Sequence, residues 1–318
     1  AVALVIPAGY HSETMIPVVR PAMAVADRLP AVWAVEKTPE CDTYSNGLRI
    51  ENDYVVANHP RRYRALLRSP GGEAPAEERT SPAGIVYHTS ESHILDLEPE
   101  QTTALKRVGR NLLEYVREKR SYHFVVDRFG RVHRVVQEGD AANHAGWSVW
   151  ADDGHIYVNL NESFLSVAFE AQSRTGVGAS TVNEAQVHAG RVLTEMLRAA
   201  YRLPAANCIG HAQVSVSPRT GRVGYHTDWA DGFPYRRIGL PDNYGLPLAS
   251  VLFFGFKLDA PLSGTGVERG ALVAETLIQR DALAHRIPLA DHRAGLRVRW
   301  REALALAANA GAEEEKGL

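Results

Sequence analysis

Two short apolar runs and one turn-rich loop lead towards residues that can bind a metal ion or transfer a proton. Residues 85–87 precede His88, residues 208–210 precede His211, and a turn-rich loop precedes Asp228. Two imidazoles and one carboxylate form a suitable ligand set for zinc, with a fourth position left for water. Each residue alone is more typical of a hydrogen-bonded group at a strand end. The zinc site is therefore a prediction about the fold, which must bring the three together.

A further apolar run, residues 166–169, ends at Glu170. Beside a metal ion, this carboxylate could take a proton from bound water and pass it to a leaving nitrogen. Positioned proton transfer of this kind contributes about 10²–10⁴-fold to a rate. Away from a metal ion, Glu170 would be an ordinary charge at the end of a strand.

The β-rich segments predict an α/β fold with a central mixed β-sheet flanked by helices and a zinc cleft at the strand ends. Residues 85–87 and 164–169 have the composition of central strands. Residues 122–126 and 131–136 flank a turn that contains Gly130, which is typical of a β-hairpin.

Helical periodicity separates these strands. Leucine and valine recur at three- and four-residue steps after Pro99, and residues 181–200 carry the clearest apolar stripe in the chain. Strands that alternate with helices indicate helices packed on a mixed sheet.

The flanks predict a main domain with two extensions. We interpret residues 1–80 as an extension that wraps the main domain, with a strand at 54–57, and residues 81–249 as the catalytic domain. Residues 250–318 are interpreted as a mainly helical C-terminal extension. Its two helices are expected near residues 270–284 and 296–308.

Composition excludes several classes of protein. The 318 residues are 45% hydrophobic and carry a net charge of -2 without a long basic run, which argues against a nucleic-acid partner. No apolar stretch approaches the roughly 18 residues that membrane insertion requires. Cys41 and Cys208 are too few for a disulfide framework or a Cys-rich zinc module. One bridge between them and two buried thiols are both open.

The motifs, in their order along the chain, resemble those of the zinc-dependent N-acetylmuramoyl-L-alanine amidases of type 2. These amidases share their fold with the peptidoglycan recognition proteins. The resemblance extends over residues 84–229. The similar segments, in chain order, are 85–89, 121–130, 141–146, 159–170, 210–211 and 225–228. The resemblance implies zinc ligands at His88, His211 and Asp228, and a general acid/base at Glu170.

Two more catalytic residues follow from the resemblance. His226 stands where the family usually has a lysine, and it could stabilise the oxyanion of a tetrahedral intermediate. Its charge would depend on pH near neutrality. Tyr122 matches the tyrosine that assists catalysis in phage-type members, or else it supports the site from behind.

The segment 141–146 is similar to the family's His-Ala-Gly loop, which lines the substrate groove. The resemblance therefore implies that Asn143 and His144 contact the glycan or the peptide. Trp147 could form the floor of the same groove, and packing in the core or on the surface is the alternative.

The implied activity is zinc-dependent hydrolysis of the amide between N-acetylmuramic acid and L-alanine in peptidoglycan or muropeptide fragments. Such a substrate implies a periplasmic or extracellular protein, with cytoplasmic recycling of fragments as the alternative. A non-catalytic module that binds peptidoglycan is a competing hypothesis, although such relatives typically lose the third ligand and Asp228 is present. A zinc amidase that acts on another amide is a third, because a fold does not determine a substrate.

Overall fold

The computed structural model describes residues 28–68, 76–173 and 182–308, which form three β-sheets and seven α-helices. The strands are β1 (Ala34–Lys37), β2 (Cys41–Tyr44), β3 (Arg49–Glu51), β4 (Tyr63–Leu67), β5 (Ala76–Arg79), β6 (Gly84–Thr89), β7 (Phe124–Val126), β8 (Val132–Arg134), β9 (Val149–Ala151), β10 (His155–Val158), β11 (Phe164–Phe169), β12 (Cys208–Gly210), β13 (Val216–Ser217), β14 (Arg222–Val223) and β15 (Lys257–Leu258). The helices are α1 (Thr102–Lys119), α2 (Leu160–Ser163), α3 (Glu184–Tyr201), α4 (His211–Val214), α5 (Ala249–Phe254), α6 (Gly266–Ala284) and α7 (Leu289–Ala308).

The main sheet has eight strands in the order β1-β2-β3-β8-β7-β11-β6-β12. Strand β11 lies between β6 and β7 and is parallel to both, and β12 is parallel to β6. Strands β7 and β8 form the predicted hairpin around Gly130. The predicted α/β class with a central mixed sheet is therefore confirmed.

Helix α1 covers one face of this sheet. Its side chains Leu112, Leu113 and Val116 form a buried cluster with Val125 and Val135. The helix begins directly after a 3₁₀ turn that starts at Pro99, where the fixed φ of proline suits a first helical turn. The predicted helix after Pro99 is thus found in the structure.

Helix α3 covers the opposite face. Tyr87 Oη hydrogen-bonds to Thr194 Oγ1 of this helix at 2.7 Å. Because side chains alternate across a strand, His88 faces the side of α1. A reciprocal capping box of Asn183 and Gln186 sets the start of α3 at Glu184. The first residue of the predicted helix, Thr181, lies outside the described residues.

The strands before residue 80 are integrated into the sheets. Strands β1 to β3 extend the main sheet beyond β8, and β4 and β5 join β10 and β9 in a second sheet. The strand predicted at 54–57 is wrong: Val56 forms an isolated bridge with Val136, and Tyr54 lies in a turn. The turn arises because Val55 N donates to Asn52 O at 3.2 Å, which overrides the β-propensity of the segment.

The C-terminal part of the chain is largely helical, and α5 packs on α6 and α7. Both predicted helices are present and begin earlier than expected, at Gly266 and Leu289. Cys41 and Cys208 are buried free thiols, so the alternative of a bridge between them is not realised. Among the described helices, none has the length and apolar character needed to span a membrane.

Candidate metal centre

His88, His211 and Asp228 converge at one edge of the main sheet. His88 Nδ1 lies 3.2 Å from Asp228 Oδ2, and His211 Nδ1 lies 2.8 Å from Asp228 Oδ1. The two imidazole ring centres are 4.4 Å apart. All three side chains are buried, and one ligand atom from each lies within 4.8 Å of the others.

The sheet register explains this convergence. Gly210 of β12 pairs with Tyr87 of β6. The residues that follow this pair, His211 and His88, therefore lie side by side at the C-terminal ends of the two strands. Asp228 reaches the same point from the loop after β14, where its carbonyl oxygen accepts a hydrogen bond from Ala212 N at 3.0 Å. The third residue is thereby tied to the helical turn that carries His211.

The donor set fits zinc. Ligand atoms about 2.0–2.2 Å from a tetrahedral zinc ion are about 3.3–3.6 Å from one another. The two Nδ1–Oδ separations, 3.2 and 2.8 Å, are shorter, so the side chains would move slightly apart to hold the ion. Burial, followed by the influence of His211, lowers the pKa of His88 to about 4. Burial would raise the pKa of Asp228, but the interactions with His211 and His88 outweigh it and hold this pKa well below its usual range. A neutral His88 and an ionised Asp228 are the forms that metal binding requires.

Two of the three predicted catalytic residues contact a histidine of this cluster. The ring of Tyr122 lies 5.1 Å from that of His88, and the ring of His226 stacks on His211 at 4.8 Å. Burial raises the pKa of Tyr122, and the carboxylate of Asp228 raises it further. Burial and then His211 lower the pKa of His226, which favours its neutral, hydrogen-bonding form at pH 7.

Glu170 has a different environment. Its Oε2 accepts a hydrogen bond from Arg128 N at 3.0 Å, and the carboxylate packs against Gly109 of α1, where an added Cβ would lie 3.4 Å from it. The residue that pairs with His88 across β6 and β11 is Ala168. Glu170 is therefore two positions further along the chain, and its role as general acid/base stays a prediction.

The predicted substrate-binding residues occupy three different settings. His144 Nδ1 lies 3.1 Å from His88 Nε2, the ring nitrogen that does not face Asp228. The side-chain amide of Asn143 donates to Lys119 O at 3.0 Å, at the end of α1. Trp147 is 54% exposed. Contact of these three residues with a substrate stays a prediction.

The sequence did not predict a polar cluster around Gln213, two residues after His211. Gln213 Oε1 accepts hydrogen bonds from Tyr235 Oη and from Gly210 N, and Gln213 Nε2 donates to Asn243 O at 3.0 Å. All four residues are buried. This cluster fixes the turn that presents His211, and the only sequence signal was a glutamine in an otherwise apolar segment.

Residues 78–228 match the family of N-acetylmuramoyl-L-alanine amidases. This match confirms the family resemblance seen in the motifs, and it contains all three residues of the metal centre. No curated protein matches the chain.

Solved structures of amidases and of a recognition protein are also similar to this chain. The E. coli amidase AmiD is 20% identical, over 54% of this chain and 60% of its own, with a TM-score of 0.38. AmpDh3 from Pseudomonas aeruginosa is 18% identical, over 54% and 63%, with a TM-score of 0.37. PGRP-LB from Drosophila is 11% identical, over 51% and 85%, with a TM-score of 0.32. The chain thus spans less than two thirds of the first two structures.

Proposed function

We propose that this protein is a zinc-dependent N-acetylmuramoyl-L-alanine amidase. The observation that carries the proposal is the buried convergence of His88, His211 and Asp228 inside the region that matches the amidase family. Residues 81–249 would form the catalytic unit, residues 1–80 would wrap it, and residues 250–318 would form a helical extension.

The donor atoms that face one another support the proposed ligand roles. His88 Nδ1 and His211 Nδ1 both point at the carboxylate of Asp228, so these two nitrogens and one carboxylate oxygen would hold the ion. Bound zinc supplies a water ligand whose pKa falls to about 7, and thereby a hydroxide nucleophile at ordinary pH. Each imidazole would then carry its proton on Nε2, on the side away from the ion.

Tyr122 and His226 would act on the reacting carbonyl. The ring of Tyr122 lies against His88 and the ring of His226 lies against His211, so the two flank the metal centre. Hydrogen-bond donors in these places would stabilise the negative charge that develops on the carbonyl oxygen. His226 would do so as a neutral donor, because its pKa is lowered.

Glu170 is the proposed proton acceptor. Its carboxylate would take a proton from the attacking water and pass it to the leaving nitrogen. The hydroxyl of Tyr122 stays protonated near neutral pH, because burial raises its pKa, so this residue would act as a hydrogen-bond donor. The hydrogen bond that Glu170 Oε2 accepts from Arg128 N would orient the carboxylate.

Muropeptides are the proposed substrates. The AmiD structure is a complex with anhydro-N-acetylmuramic acid-L-Ala-D-γ-Glu-L-Lys, and the AmpDh3 structure is a complex with an anhydromuramic pentapeptide. For this chain we propose cleavage between the muramic acid and L-alanine, with His144, Asn143 and Trp147 bordering the groove. A periplasmic or extracellular location would give access to this substrate, and recycling of fragments in the cytoplasm is the alternative.

Product analysis of purified muropeptides by mass spectrometry tests the proposal. The wild-type protein should release the intact stem peptide and the glycan, a chelator should stop the reaction, and added zinc should restore it. Stoichiometric zinc without cleavage would instead identify a recognition module. Cleavage at a different bond would overturn the assigned specificity.

A further inference from the structure

The loop of residues 144–146 contacts Nε2 of both histidines in the metal centre, the ring nitrogen that does not face Asp228. His88 Nε2 lies 3.1 Å from His144 Nδ1, and His211 Nε2 lies 3.5 Å from the carbonyl oxygen of Ala145. With His144 in the tautomer that leaves Nδ1 unprotonated, two consecutive residues supply an acceptor for each imidazole. A histidine that binds a metal through one nitrogen is normally oriented by an acceptor at the other.

One side chain binds three consecutive backbone amides of this loop. Asn161 Oδ1 accepts hydrogen bonds from three consecutive amides, at 2.9 Å from His144 N, 2.7 Å from Ala145 N and 3.2 Å from Gly146 N. Gly146 has a φ of 50°, so the three amides converge on the same oxygen where the chain turns. The three loop amides therefore share a single acceptor, while Ser148 Oγ donates to the carbonyl oxygen of Gly146 at 3.1 Å.

Asn161 is itself anchored to the core. It follows Leu160, which is fully buried and whose amide donates to Ser148 Oγ at 2.9 Å. The carbonyl oxygen of Asn161 also accepts a hydrogen bond from Ala142 N at 3.4 Å. The short helix α2 leads directly into β11, so this acceptor is fixed relative to the central strand beside His88.

We propose that Asn161 is a positioning residue for the metal centre: it fixes the loop 144–146, which sets the orientation and the tautomer of His88 and His211. The inference rests on the proposed zinc site. It gives His144 a function behind His88, in addition to the predicted contact with substrate. Without the Asn161 acceptor, both rings would turn more freely and hold a cation less tightly.

The zinc dissociation constant, measured by competition with a chromophoric chelator, tests the proposal without reference to activity. Asn161→Ala should weaken zinc binding by about 10–100-fold, the range typical of lost outer partners of metal ligands. Asn161→Asp keeps an oxygen acceptor in the same place and should bind zinc at least as tightly as the wild type. If Asn161→Ala does not fold, Asn161→Ser, with its shorter acceptor, should show a smaller weakening in the same direction.

Asp152→Ala is the matched control. Asp152 Oδ1 also accepts hydrogen bonds from backbone amides of its own turn, Gly154 N and His155 N. This variant should lose folding stability in the presence of chelator while its zinc affinity stays at the wild-type value.

A second signature comes from cobalt(II) bound in place of zinc. Its visible absorption bands should change in Asn161→Ala and return in Asn161→Asp, since they report the ligand geometry. Wild-type zinc affinity in Asn161→Ala, or equal weakening in Asp152→Ala, would overturn the positioning role. Failure of the wild-type protein to bind zinc would instead overturn the proposed function itself.

Discussion

Tyr244 donates a hydrogen bond from its hydroxyl to the carbonyl oxygen of Trp229 at 2.9 Å. Trp229 follows Asp228 directly and has a φ of 58°, which is unusual for a bulky side chain. The same hydroxyl accepts a hydrogen bond from Phe233 N at 3.1 Å. A residue well beyond the metal centre therefore holds the backbone turn that directs Asp228 towards the two histidines.

Replacement of Tyr244 by phenylalanine should destabilise the protein. The substitution leaves the Trp229 carbonyl and the Phe233 amide without their partner, and a buried polar group that loses its hydrogen bond costs about 1–3 kcal/mol. The free energy of unfolding, measured with urea in the presence of chelator, should fall by this amount.

Tyr225→Phe is the matched control for that experiment. Tyr225 is 68% exposed, so its variant should keep the free energy of unfolding within about 0.5 kcal/mol of the wild type. Equal stabilities for Tyr244→Phe and the wild type would show that the hydrogen bond to Trp229 does not maintain the turn.

Tyr122→Phe and Glu170→Gln should separate the proposed hydrogen-bond donor from the proposed proton acceptor. Glu170→Gln removes the carboxylate and keeps an oxygen that can accept the hydrogen bond from Arg128 N, so it should lower kcat by about 10²-fold or more, the usual size of a positioned proton-transfer effect. Tyr122→Phe should lower kcat by less than this, because His226 remains beside the metal centre as a second hydrogen-bond donor.

Both variants should retain one zinc ion per chain by elemental analysis, which is the control for an intact metal centre. The reverse pattern, with a large loss in Tyr122→Phe and a small one in Glu170→Gln, would exclude Glu170 as the general acid/base. Rates on the same muropeptide decide between them.

Much of the framework could be predicted from sequence because its signals are local. The apolar runs before His88 and His211 are strand signals, and the parallel register of β6 and β12 then brings these residues to one edge. The strand predicted at 54–57 failed because a local turn overrode its β-branched composition.

The supporting residues could not be found in the same way. Asn161 and Tyr244 lie 17 and 15 residues from their partners His144 and Trp229, and both act on backbone atoms. A backbone acceptor or donor leaves no mark on the residue type of its partner. Likewise, the contact of Glu170 with Arg128 N depends on the detailed course of the β7–β8 turn.

Stability should respond to pH through Glu170. Burial raises the pKa of this carboxyl, so the folded state resists ionisation more than the unfolded chain does. Its contribution to stability is fully present below the unfolded pKa and is lost as pH rises through the folded pKa. Glu170→Gln should therefore raise Tm relative to the wild type at pH 8 and should change it least at pH 4, with chelator present throughout.

Glu78→Gln provides the opposite control. The hydrogen bond from Arg62 lowers the pKa of Glu78, so this variant should gain no stability relative to the wild type as pH rises. A difference between Glu170→Gln and the wild type that stays constant from pH 4 to pH 8 would contradict a raised pKa at Glu170.

Zinc should stabilise the folded protein by mass action, because the ligand atoms of His88, His211 and Asp228 converge only in the folded chain. At a free zinc concentration 100-fold above the dissociation constant, the gain in the free energy of unfolding is about 2.7 kcal/mol. Thermal unfolding with and without zinc should show this increase in the wild type and lose it in Asp228→Ala. Asp259→Ala, which removes a carboxylate that caps a short helical turn, should keep the full increase. The same increase in Asp228→Ala would mean that zinc binds at another group of side chains among the 13 histidines of the chain.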